Sequence, residues 1–213
     1  MLNNTKISEP ENIERRSFEI ITSLLGERTF PKLHGPVIKR VIHTTADFEF
    51  ADILKISADA VENAANAIRA GSNIVTDTKM AAAGINKKAL SQYEGQVICS
   101  IDDPEIAKEA KERNITRSAL CMDKLCQDTN NKIFVIGNAP TALIRLHELI
   151  KLEKVKPTLV VGVPVGFVNV VEAKELFLNS DIPYIISEGR KGGSNIAAAI
   201  INAILYMMRD GMV

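Results

Sequence analysis

"KIFVIGNAPTALIRLHELIKL", Lys132 to Leu152, holds one complete structural unit of this chain: an apolar strand, a Gly-Asn-Ala-Pro turn and a helix. A short, continuous apolar run suits a strand covered on both faces, and Pro140 suits an early helical position, where its missing N–H costs nothing. The same grammar recurs on both sides. "PTLVVGVPVGFVNVVEAKELFL" and "PYIISEGRKGGSNIAAAIINAILYMM" follow it, each a strand, a glycine-bearing turn and a helix. "NIVTDTKMAAAGI" and "GQVICSIDDPEIAKEAKERN" precede it, with "TRSALCMDKLCQD" as a further helix. Apolar strands alternating with helices predict one α/β domain, three layers deep, with a mostly parallel sheet flanked by helices.

Toward the N-terminus, Ile13, Phe18, Ile20, Ile21, Leu24 and Leu25 form one apolar helical stripe that Gly26 is placed to stop. Ser57 to Ala70 reads as a helix with Ser57 as N-cap and Gly71 at its end. "VIKRVIHTTADFEF", Val37 to Phe50, reads as a strand over Val37–Thr45. In that phase Val37, Lys39, Val41, His43 and Thr45 share one face, and Ile38, Arg40, Ile42 and Thr44 the other.

Composition narrows the function. The 213 residues are 46% hydrophobic and carry 26 basic and 26 acidic side chains. A net charge of zero argues against a bulk nucleic-acid binder. No apolar run is long enough to span a bilayer, so no membrane association is expected. "MLNNTKISEPENIERR" lacks a signal peptide's apolar segment, so a cytoplasmic protein is expected, with residues 1–10 a loose segment ahead of a single domain over 1–213. Cys99, Cys121 and Cys126 form no metal-ligand pattern and read as reduced, partly buried thiols. No His/Cys/Asp/Glu cluster has metal spacing and no serine sits in a nucleophile elbow.

In open α/β sheets ligands bind beyond the carboxyl ends of the strands, where turns lead into helix N-termini. The unusual residues collect there: His43-Thr44-Thr45, Thr76-Asp77, Gly137 to Thr141, Gly162 to Gly166 and Gly189 to Ser194. Such turns offer backbone N–H groups to anions. In the last one Arg190 and Lys191 add charge, Gly192 and Gly193 permit close approach to a ligand, and Ser194 can cap the helix or donate to the ligand. The glycine spacing matches neither a dinucleotide fingerprint nor a nucleotide phosphate loop, which disfavours a nucleotide- or sugar-phosphate-dependent enzyme. Taken alone, these residues predict an α/β protein that binds a multiply anionic ligand. His43 is either a structural residue or a proton donor at the ligand edge, since an imidazole can give or take a proton near neutrality. His34 and His147 read as structural or surface residues.

Seven stretches in order, "RRSFEII", "VIKRVIHTTADFEFAD", "GSNIVTDTKMAAAGI", "TRSA", "FVIGNAPTAL", "VVGVPVGFV" and "GRKGGSNIAAA", make the chain resemble the precorrin-8X (cobalt-precorrin-8) methylmutases of corrin-ring biosynthesis. The resemblance runs over nearly the whole chain; Leu120, Cys121 and Ala173 are small departures. It implies an isomerase that moves a methyl group from carbon 11 to carbon 12 of a polycarboxylate tetrapyrrole, precorrin-8 or its cobalt form, giving hydrogenobyrinate or cobyrinate. It implies no cofactor, no resident metal and a homodimer with active sites near the subunit interface. His43 falls on the family's catalytic histidine, Ser17 and Arg40 on substrate-contacting positions, and Arg117 on a cation suited to a carboxylate. Asn138, Thr141, Arg190, Gly192, Gly193 and Ser194 are further expected substrate contacts, and Val163, Val165 and Phe167 an apolar floor. A non-catalytic corrinoid carrier is the alternative reading.

Overall fold

The structure, a computed structural model, describes residues 10–213; apart from Pro10, the expected loose N-terminal segment lies outside them. In chain order the elements are α1 (Pro10–Leu25), α2 (His34–Thr45), the short α3 (Phe50–Ile53), β1 (Leu54–Ile56), α4 (Ala60–Arg69), β2 (Asn73–Thr76), α5 (Lys79–Gly84), α6 (Lys87–Leu90) and β3 (Val97–Ile98). There follow α7 (Pro104–Glu112), α8 (Arg117–Leu125), β4 (Asn131–Ile136), α9 (Pro140–Lys151), β5 (Leu159–Gly162), α10 (Val170–Leu178), β6 (Tyr184–Ser187) and α11 (Ser194–Arg209).

The strands form one sheet in the order β1-β6-β5-β4-β2-β3, parallel throughout except for β1, which runs antiparallel to β6. Alternation along β4 shows why its sequence is continuously apolar. Ile133 and Val135 enter the core under α1, α2, α4 and α11, while Phe134 and Ile136 enter the core under α7 to α10. With both faces covered, the middle positions of the parallel strands are apolar, and the buried polar residues Asn73, Thr76, Asn131 and Ser187 stand at strand ends. From β2 the chain passes outward to edge strand β3. β4 lies on the other side of β2 and leads away to β5, so the two strands flank a switch point.

The strand expected over Val37–Thr45 is instead the end of helix α2. Its apolar residues come as doublets, Val37-Ile38 and Val41-Ile42, four residues apart. That spacing has the helical period, and all four are buried on one stripe. The β-branched residues make the stretch strand-like in propensity, but burial on α11 and the sheet outweighs that preference. The helix ends where Ala46 turns left-handed (φ 54°) and donates its N–H to the Ile42 carbonyl at 2.7 Å. The edge strand is β1, only three residues long and paired with β6 through Leu54–Ser187 and Ile56–Ile185. One cap also differs. Ser57 does not start α4; its hydroxyl accepts from the Tyr184 N–H at 2.9 Å and ties β1 to β6. Gly26 and Gly71 do follow the ends of α1 and α4 in left-handed conformations.

Candidate active site

α2 lies along α11, and the groove between them opens at the end nearest the α11 N-terminus. There a cavity of about 270 Å³ is lined by Arg40, His43, Thr44, Gly84, Asn195, Ala198, Ala199, Asn202 and Tyr206. Asn195 stands one residue into the helix that follows the carboxyl end of β6. His43 therefore does sit beside the carboxyl edge, but a helix delivers it there. The change of element matters. In a strand Arg40 and His43 would point to opposite faces; on α2 they are neighbours one turn apart and line one cavity.

Aromatic rings frame the pair. The exposed His43 imidazole stacks on the Phe18 ring of α1, with centroids 5.2 Å apart and planes 1° from parallel. The Arg40 guanidinium lies 4.6 Å from the Phe18 centroid and 4.9 Å from that of Tyr206, and it pairs with Glu14. Beyond Arg40 and Tyr206 the same groove widens into a second cavity of about 480 Å³, reached by Phe18, Thr22, Lys39 and Met207. Phe18 and Tyr206 did not stand out in the sequence as partners of His43. The phenylalanine beside Ser17 was visible, but its contact is set by the packing of α1 on α2. The Ser17 hydroxyl donates back to the Ile13 carbonyl at 2.9 Å, one turn earlier on α1.

The glycine-rich turn before α11 is built mainly for the protein itself. A side chain at Gly192 would come within 2.1 Å of the Val163 carbonyl oxygen, so its missing Cβ admits the neighbouring loop and not a ligand. Gly193, at φ 143°, donates its N–H to that same oxygen at 2.8 Å. Ser194 neither caps α11 nor stands free; its hydroxyl lies 2.7 Å from the Thr78 hydroxyl, joining α11 to the start of α5. Buried Lys174 donates to the Gly189 and Lys191 carbonyls at 2.8 Å each, and burial pushes its amine down to about 8. Lys191 reaches out to Asp47 and Glu49 in the loop after α2. Exposed Arg190 has no ion-pair partner among the described residues.

At the switch point the anion is the protein's own. The carboxylate of Asp77, at the end of β2, accepts the N–H groups of Gly137 (2.8 Å), Asn138 (2.9 Å) and Ala139 (2.7 Å). Burial pushes this carboxyl above the usual range, partly offset by those three hydrogen bonds. The "GNAPT" turn thus has its donors already occupied. The Asn138 side chain is exposed, and the Thr141 hydroxyl accepts from that of Thr116 at 2.9 Å. Arg117, exposed at the start of α8, belongs with these two to the helical layer across the sheet from His43 and does not line its cavity. Val163 is fully buried and cannot serve as floor, whereas Val165, Phe167 and Val168 are exposed beside Gly166.

No group of three or more His, Cys, Asp or Glu side chains among the described residues is placed to hold a metal ion. Burial pushes the Cys121 thiol up to about 11 and that of Cys126 to about 12, which keeps both protonated and unreactive. No helix among the described residues is long and apolar enough to cross a membrane.

Comparison with known proteins identifies the family. The pattern of the precorrin-8X methylmutase family matches residues 12–207. The cobalt-precorrin-8 methylmutase of Salmonella typhimurium is 48% identical over 210 residues, covering 96% of this chain and 98% of that protein. The precorrin-8X methylmutase of Pseudomonas aeruginosa is 34% identical, covering 93% of this chain and 96% of that protein. A solved precorrin-8X methylmutase from Thermus thermophilus superposes with a TM-score of 0.84 at 38% identity, over 94% of this chain and 99% of that one. The chain belongs to the precorrin-8X methylmutase family, isomerases that shift a methyl group within one molecule.

Proposed function

We propose that this protein moves the methyl group on carbon 11 of precorrin-8, or of its cobalt form, to carbon 12, with His43 as the acid and Arg40 as a carboxylate receptor. One carbon–carbon bond breaks and another forms, so atoms and electrons balance within the substrate. What the protein must add is polarisation of the π-system. A proton, or a strong hydrogen bond, from His43 to a ring nitrogen supplies it, an assistance of about two to four powers of ten in rate. The observation that carries this reading is the exposed imidazole sharing one cavity with a guanidinium held between two aromatic rings.

The cavity at His43, about 270 Å³, falls just below the roughly 300–1,000 Å³ usual for enclosed small-molecule sites. Together with the adjoining cavity of about 480 Å³ it offers a groove for part of the macrocycle. A homodimer in which a second copy covers the rest of the macrocycle fits this size, and the exposed Val165, Phe167 and Val168 offer apolar surface for it. In this reading Ser17 and Arg190 remain substrate contacts, Gly192, Gly193 and Ser194 act through the turn they shape, and Arg117, Asn138 and Thr141, across the sheet from His43, are assigned to the substrate bound by a second copy. A cytoplasmic location accords with a biosynthetic role.

Incubation with precorrin-8 and with its cobalt form, followed by absorption spectra, tests the proposal directly. The wild-type protein converts at least one of them. His43→Ala still binds the coloured product but does not form it. Normal conversion by His43→Ala would remove the histidine from the chemistry, and product binding without turnover by the wild type would favour a carrier.

A further inference from the structure

A catalytic imidazole needs a fixed plane, because the proton leaves along the ring nitrogen's lone-pair direction. Proteins usually fix it by hydrogen-bonding the second ring nitrogen to a carboxylate or carbonyl. His43 has no such bond among the described residues: neither ring nitrogen has a hydrogen-bond partner. The ring sits in the last turn of α2, exposed to solvent, where an unbraced side chain would sample several rotamers. The one directional contact it makes is with Phe18, at 5.2 Å and 1° from parallel. That is an offset stack of the kind aromatic rings prefer.

We infer that Phe18 is the positioning residue for the His43 imidazole, setting the ring plane by stacking in place of a polar partner. The inference rests on His43 being the acid. Three features make Phe18 suited to the role. It is half-buried on α1, which packs on α2. It holds a second member of the site as well, since the Arg40 guanidinium lies 4.6 Å from the same ring centroid. One flat surface therefore aligns both the proton donor and the carboxylate receptor. And because the support is apolar, it leaves both imidazole nitrogens free, one to face the substrate and the other to exchange protons with water.

The test compares Phe18→Leu, which keeps apolar bulk but loses the flat face, with Phe18→Tyr, which keeps the ring. Phe18→Leu is expected to fold with an unchanged melting temperature to within a few degrees and to lose about tenfold or more in kcat. Its KM should move by less than threefold, because Tyr206 and Glu14 still hold Arg40, and Phe18→Tyr should recover most of the rate. Proton NMR gives a readout independent of turnover: the His43 ring resonances, displaced by the Phe18 ring current in the wild type, should return toward free-histidine values in Phe18→Leu. A folded Phe18→Leu with wild-type kcat would overturn the inference, as would a Phe18→Tyr no faster than Phe18→Leu. Normal turnover by His43→Ala would remove the acid and this inference with it, while the NMR shift would still report whether the stack exists in solution.

Discussion

Lys191 and Asp47, 144 residues apart in the chain, meet at 2.5 Å, with Glu49 2.7 Å from the same ammonium. This contact ties the glycine-rich turn before α11 to the loop that leaves α2 just after His43. Exposed pairs of this kind add little to stability, so their value here is geometric. Lys191→Met is expected to leave the melting temperature nearly unchanged and to lower kcat/KM by roughly threefold to tenfold through a looser His43 loop. Lys191's hydrogen bond holds the Asp47 carboxyl below its ordinary value. A depressed acid contributes above its unfolded value and loses that contribution only as pH falls through the lower folded one. The tie therefore survives mild acid, and kinetics of Lys191→Met between pH 5 and 8 should show a constant ratio to wild type.

Asp77 predicts a purely structural defect. Asp77→Asn replaces one accepting oxygen by an NH₂ donor that confronts backbone donors from Gly137, Asn138 or Ala139. Leaving a buried group unsatisfied costs about 1–3 kcal/mol, more when the lost bonds were charge-assisted. Denaturant melts should therefore show a loss of at least that size, and inorganic phosphate should not restore activity to the variant.

Lys174 predicts an alkaline signature. Its folded value of about 8 lies below the ordinary 10.5. Below about 8 both folded and unfolded chains carry the proton and the cost of burying the charge is present in full. Between the two values the unfolded chain keeps a proton that the folded chain has released, so stability rises with pH across that window. In Lys174→Met this rise should vanish. The same variant orphans the Gly189 carbonyl, a cost of about 1–3 kcal/mol where it stays buried, measurable as a lower denaturation midpoint at pH 7, while the Lys191 carbonyl keeps the hydrogen bond that the Ser187 hydroxyl donates to it.

Arg40→Lys separates charge from shape. Lysine keeps the positive charge but loses the planar fork and the stacking on Phe18 and Tyr206. Steady-state kinetics should show KM raised about tenfold, or ~1.4 kcal/mol of binding, with a smaller change in kcat.

The five later strands were legible because each is a run of apolar residues closed by a glycine, proline or capping side chain, and burial on both faces demands that run. β1 was not, since three residues carry no period and their pairing with β6 is settled more than a hundred positions away. α2 was misread because doublets such as Val37-Ile38 satisfy both a β-branched preference and a helical spacing, and only its packing against α11 decides between them. The site divides in the same way. His43 and Arg40 could be picked out as chemistry, but their shared face depends on that helix, and Phe18, Asn195 and Tyr206 reach them from two other segments. Likewise, nothing near "GNAPT" reveals that a carboxylate sixty residues earlier fills its turn.

The placement of Asp77 also bears on inhibitor chemistry. At the port where doubly wound enzymes commonly admit a nucleotide's phosphates, this protein has installed a plug of its own. Compounds that compete by presenting a phosphate there meet a carboxylate and are repelled. Selective ligands for this fold should instead be flat and polyacidic, and should approach along the α2–α11 groove.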